Sequence, residues 1–132
     1  MVHTVSRLAD HKGNDSPKPY GDEYYIDVIV DITDYVVAGA VVTAAECALS
    51  TINNVTITGS NCGTGLNVFI PRLELVSGGG YTATEIVNGN CDSVTLKLIT
   101  LDASDSTNDR FMYVPDSHGN AGEVRMRVWG NV

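Results

Sequence analysis

Long, charged helix formers are scarce in this 132-residue chain: lysine occurs 3 times and glutamate 5 times, against 37 residues of Val, Ile and Thr. β-Branched side chains fit pleated, half-buried surfaces better than exposed helices, so this composition excludes a helical bundle and points to an all-β protein. Apolar runs are also short. None approaches the roughly 20 residues of a membrane-spanning helix, and the first eleven residues hold no apolar stretch of the signal-peptide kind. The expectation is a soluble chain made in the cytosol, with no membrane partner. Cysteine is rare and odd in number. Cys47, Cys62 and Cys91 form no Cys-x-x-Cys and have no neighbouring histidine, which argues against zinc. They read as small core or loop residues, and a Cys62 to Cys91 bridge stays open only for a protein working outside a reducing compartment. Asn54-Val-Thr56 matches the glycosylation acceptor pattern, which has meaning only after secretion.

Positive charge is missing where the body of the chain lies. Residues 23 to 109 hold 11 acidic groups against Arg72 and Lys97, whereas residues 1 to 22 balance three basic with three acidic groups. The formal net charge is -8. Phosphate contacts need clustered Lys and Arg, so nucleic acid is not an expected partner.

What is present is a strand pattern. A chain of this length buries about two thirds of its unfolded surface, enough for one core without cross-links. Residues 1 to 22 include Asp10 to Asp22, rich in turn formers and charge, and are expected to form an extended N-terminal arm. From Glu23 onward, Tyr24, Ile26, Val28, Val30 and Ile32 alternate with Tyr25, Asp27, Ile29 and Asp31, a strand with one buried face. Thr43-Ala-Ala-Glu46 fits a capping box and predicts a helix of one or two turns. Val55 and Ile57 lie in a further strand. In residues 66 to 76 the apolar parity switches around Pro71, which predicts a bulge or an edge position. Asn88-Gly89 predicts a hairpin between residues 81 to 87 and 93 to 101. Last, Val124, Met126 and Val128 face one way and Arg125, Arg127 and Trp129 the other. Seven or eight short strands and one short helix predict a single-domain β-sandwich or barrel, jelly-roll-like, over residues 23 to 132, with the arm preceding it.

No pattern reads as catalytic, and no cofactor or metal is expected. Asp116-Ser117-His118 carries hydrolase letters, but three neighbours on a Gly-rich loop cannot converge on one substrate atom. His3, His11 and His118 are scattered. Asp102, Asp105 and Asp109 offer hard oxygens in one loop without EF-hand spacing, and read as turn residues. Gly63-Thr-Gly65 and Gly78-Gly79-Gly80 lack the ending of a phosphate loop. Two sets remain as partner-binding candidates. Arg7, Lys12, Lys18 and Tyr20 are the anchors the arm offers, and Arg125, Arg127 and Trp129 form an outward stripe of the residue types that anchor interfaces. That stripe also suits cross-strand pairing with outward acids such as Asp27 and Asp31.

Tyr25-Ile-Asp-Val-Ile-Val-Asp-Ile-Thr-Asp34, Val41-Val-Thr-Ala-Ala-Glu46, Leu49 to Thr58 and the ending Val124-Arg-Met-Arg-Val-Trp-Gly-Asn131 resemble small virion structural proteins of tailed bacteriophages. The likeness is one of style and order across residues 24 to 131. It implies a capsid decoration (cement) protein, made in the host cytoplasm and carried on the outer surface of the virion head. Its implied partners are the phage major capsid protein and itself as a homotrimer, with capsid stabilisation and no enzymatic activity. Two other expectations are kept beside it. One is a carbohydrate- or receptor-binding module of a fibre or spike, which needs aromatic rings gathered on one face, whereas Tyr24, Tyr25, Tyr81, Tyr113 and Trp129 are dispersed in sequence. The other is a head-tail connector subunit, which would show ring symmetry.

Overall fold

Alternation of apolar and polar residues governs the architecture. In the computed structural model, which describes residues 2–64, 67–77, 80–81, 91–102, 110–114 and 119–132, the strands in chain order are β1 (Val2–Arg7), β2 (Lys18–Tyr20), β3 (Glu23–Asp34), β4 (Ala40–Thr43), β5 (Thr51–Ser60), β6 (Gly63–Thr64), β7 (Asn67–Val68), β8 (Ile70–Ser77), β9 (Gly80–Tyr81), β10 (Ser93–Asp102), β11 (Arg110–Tyr113) and β12 (Gly122–Asn131). They form two antiparallel five-stranded sheets and one small two-stranded sheet, β6 with β7. The fold is nearly all β and sandwich-like.

The first sheet runs β1-β3-β12-β5, with β2 sharing the β1 edge of β3. Its inner face is written by the alternation: Ile26, Val28, Val30 and Ile32 on β3 and Val124, Met126 and Val128 on β12 are buried. The second sheet is built around β10, which has β8 along one side and β4 then β11 along the other. Val94, Leu96 and Leu98 of β10 and Val42 of β4 belong to the same buried cluster as the β3 and β12 residues. Tyr35 joins the sheets. Fully buried after β3, its hydroxyl accepts the Leu98 N–H at 2.9 Å, in the gap where β4 has ended and β11 has not begun. A buried donor without that partner would be costly.

Two expectations change. Val2–Arg7 is not a free arm. It pairs with Val28–Asp34 as an edge strand, and Lys18–Tyr20 pairs with Glu23–Tyr25. Its backbone groups are taken up by β3, and His3 Nε2 donates to the Val41 carbonyl of the second sheet at 2.8 Å. Residues 8 to 17 link these two strands through a turn in which Asp10 accepts the N–H groups of Lys12 and Asn14. The predicted helix is a single 3-10 turn, Ala45–Cys47. The capping box does form, Glu46 N–H donating to Thr43 Oγ1 and Thr43 N–H to Glu46 Oε1. Ala48 then turns left-handed at φ 58° and the Leu49 N–H closes on the Ala44 carbonyl, so the chain enters β5 instead of extending the helix. The three cysteines are buried and unbridged, and burial pushes the Cys47 thiol up to about 12 and raises that of Cys62.

Pro71 pairs opposite Leu98 in a stretch where β8 has β10 on one side and no strand on the other among the described residues, so the edge reading of Pro71 holds. The Asn88-Gly89 turn, the Gly78-Gly79 pair, residues 103 to 109 of the aspartate loop and Asp116-Ser117-His118 lie outside the described residues. Of the expected hairpin, Tyr81 pairs with Val76 of β8, and β10 meets β4, β8 and β11.

Candidate interaction face

The outer face of the first sheet follows from register. Because side chains alternate, every odd residue of β3 and β12 points away from the core, and the antiparallel pairing sets Tyr25 opposite Trp129, Asp27 opposite Arg127, Ile29 opposite Arg125 and Asp31 opposite Glu123. On the other edge of β3, β2 sets Lys18 opposite Tyr25 and Tyr20 opposite Glu23. Two sets that were separate in the sequence therefore meet here. Tyr20 and Trp129 ring centroids lie 5.6 Å apart in an edge contact, Tyr25 and Trp129 lie 5.5 Å apart, and Tyr20 and Tyr25 lie 6.3 Å apart. Tyr20 is 67% exposed, so the cluster stands open to solvent at one end of the sheet.

Beside the rings is a tightly held charge pair. Arg127 Nε and Nη2 donate to the two oxygens of Asp27 at 2.9 and 3.0 Å, and the guanidinium carbon sits 4.6 Å from the Tyr25 ring centre. The forked bond and the stacked ring fix the arginine in one orientation. Arg127 donation holds the Asp27 carboxyl below its ordinary range against the opposing effect of burial, and the same bond raises Arg127. Arg125 is looser. Its Nη2 is 3.7 Å from Asp27, longer than the Arg127 bonds, and it adds a smaller share to the lowering of the Asp27 carboxyl. The expected pairing with Asp27 is therefore present. Asp31, also expected to pair, faces Glu123 instead.

Two depressions flank Arg125. One, of about 180 Å³, is lined by Lys18, Tyr25, Asp27, Arg125 and Arg127 together with Leu8, Ala9 and Asp10. The other, of about 290 Å³, is lined by Ile29, Gly59, Ser60, Asn61, Glu123 and Arg125. The second exists because of backbone detail. The β12 to β5 pairing shifts register between Arg125 and Met126, and Gly59 opposite Arg125 presents no side chain.

No family model, curated protein or solved structure matches this chain. The face thus stands on its own geometry. It gathers Lys18, Tyr20, Arg125, Arg127 and Trp129. The other two candidates are not in it: Arg7 turns to Asp15 at 3.5 Å, and Lys12 stands exposed on the turn after Asp10. Tyr25 and Asp27 complete the cluster although neither was a site candidate. Their position opposite the Arg-Trp stripe was the available signal, but it needs the strand register to be used. Among the described residues no group of three or more His, Cys, Asp or Glu is placed to hold a metal ion, and no helix is long and apolar enough to cross a membrane.

Proposed function

We propose that this protein is a structural component of a phage virion, a decoration (cement) protein that binds the outer surface of the head and stabilises the capsid lattice. The observation that carries the reading is the cluster of Tyr20, Tyr25, Trp129 and Arg127 on the solvent side of a five-stranded sheet. Interfaces draw most of their energy from a few Trp, Tyr and Arg side chains of this kind. Lys18, Tyr20, Arg125, Arg127 and Trp129 are the contacts to the major capsid protein, and Arg7 and Lys12, outside that face, are further candidate anchors of the N-terminal segment. The proposed form is a jelly-roll-like single domain acting as a homotrimer, made in the host cytoplasm and placed on the virion. It carries no enzymatic chemistry and takes no cofactor. Many copies on one lattice reinforce it because each binds only the assembled state. The surplus of negative charge keeps a crowded shell surface in solution and away from nucleic acid.

One observation favours a second reading. Of the rings dispersed in sequence, Tyr25 and Trp129 meet in space with Tyr20 beside them, and rings gathered on one face are what a carbohydrate- or receptor-binding module of a fibre or spike requires. Co-sedimentation with expanded heads lacking the protein separates the two. Binding that saturates at a lattice-matched ratio, and is weakened by Trp129→Ala, supports the decoration reading. No binding to heads, with binding on a glycan array, selects the second.

A further inference from the structure

The groove beside Gly59 has an electrical polarity that the fold itself does not need. At one end is Arg125, half exposed and in a long ion pair with Asp27 through Nη2 at 3.7 Å, a contact that uses only part of the donor set of its guanidinium. At the other end is Glu123, two residues along β12, directly opposite Asp31 of β3. Like charges opposite one another across a strand pair destabilise a sheet. That pairing is unfavourable within the isolated chain and becomes favourable when a cation is brought to it. On either side of Arg125 lie its cross-strand partners: Ile29 gives the groove an apolar side, and Gly59 leaves the other side open, a Cβ built there meeting nothing within 4 Å.

We propose that this groove is a docking site for an extended segment of a partner protein that carries a carboxylate and, two residues away, a cationic side chain. Residues two apart on an extended strand point to the same side and lie about 6.5 to 7 Å apart. That matches the spacing of Arg125 and Glu123 on β12. The partner's carboxylate meets Arg125, its cation meets Glu123 and Asp31, and the intervening backbone lies over β12 with Ile29 on one flank of Arg125 and Gly59 on the other. Charge complementarity selects this occupant over a purely acidic or purely basic segment, each of which would meet one end of the groove with like charge. The inference rests on the decoration reading, in which the segment belongs to the capsid subunit.

The test titrates the intact protein and three variants onto expanded heads lacking it, with the melting temperature of each free protein measured alongside. Gly59→Val fills the groove at a position where added atoms meet open space. Arg125→Gln and Glu123→Gln remove one end each. The expected result is saturable binding by the intact protein and a rise in half-saturation concentration of about tenfold or more for each variant, the scale of one lost charge-assisted contact. Glu123→Gln is expected to weaken binding while leaving the free protein's melting temperature equal or higher, since it relieves the repulsion by Asp31. A purely structural role for Glu123 would give the opposite melting shift. If the intact protein saturates the heads and all three variants saturate at the same concentration, the groove is not the contact and the inference is overturned while the decoration reading stands. If the intact protein does not bind heads, both fall.

Discussion

At the scale of single residues, two side chains hold contacts that their neighbours cannot replace. The Tyr35 hydroxyl serves the Leu98 N–H inside the core, so Tyr35→Phe leaves a buried donor without that partner. The expected cost is about 1 to 3 kcal/mol, read as a lower urea midpoint with an unchanged slope. Asp27 is held by Arg127 on the outer face, and its carboxyl titrates below its ordinary value near 3.8 in the folded state. A depressed folded value means that the pair's stabilisation is fully present above the unfolded value and is lost as pH falls through the folded one. The stability difference between the intact protein and Asp27→Asn should therefore be constant at neutral pH and shrink below about pH 4. A difference that instead grew on acidification would show that Asp27 does not act through its charge. Gly130, next to Trp129, is fixed by closeness: a Cβ there would overlap the Thr51 carbonyl of β5. Only glycine lets the last turn of the β12 ladder approach β5, and that approach sets where Trp129 lies.

At the scale of elements, legibility followed burial. The alternation on β3 and β12 was readable because both strands are central in their sheet, with one face against the core, and the pattern of Ile26 to Ile32 and Val124 to Val128 has no competing explanation. The Thr43 and Glu46 side chains announced a helix start correctly but carried no information on length, which Ala48 and Leu49 decide by turning the chain into β5. β1 was missed for the same reason in reverse. Val-His-Thr-Val-Ser-Arg is short and mostly polar, and it becomes a strand because the edge of β3 offers it a ladder. Removal of residues 1 to 8 should therefore cost about 2 kcal/mol, the scale of one partly buried valine, Val5, together with the strand pairing. It should also promote association through the uncovered β3 edge. Urea unfolding and sedimentation velocity check both, and an unchanged midpoint would return these residues to the status of an arm. The meeting of Tyr20 with Trp129 was invisible for a related reason. It depends on two registers, β2 on β3 and β3 on β12, and neither can be counted from composition or spacing.

At the scale of the whole molecule, the two sheets divide the work. Their inner faces supply a continuous apolar core, while the outer face of the first sheet concentrates rings, arginines and a polar groove within a chain of net charge -8. A body of that charge is repelled by its own copies at low salt. A face of rings and mixed charge within it gives the molecule one favoured orientation toward a mixed-charge surface. The proposed decoration role asks for one such face that commits to the shell. The most direct measurement is the melting temperature of expanded heads lacking the protein, before and after saturation with the intact chain or with Trp129→Ala. The decoration reading predicts a clear rise with the intact chain and little or none with the variant. Heads that bind the intact chain to saturation and still melt at their bare temperature would contradict it.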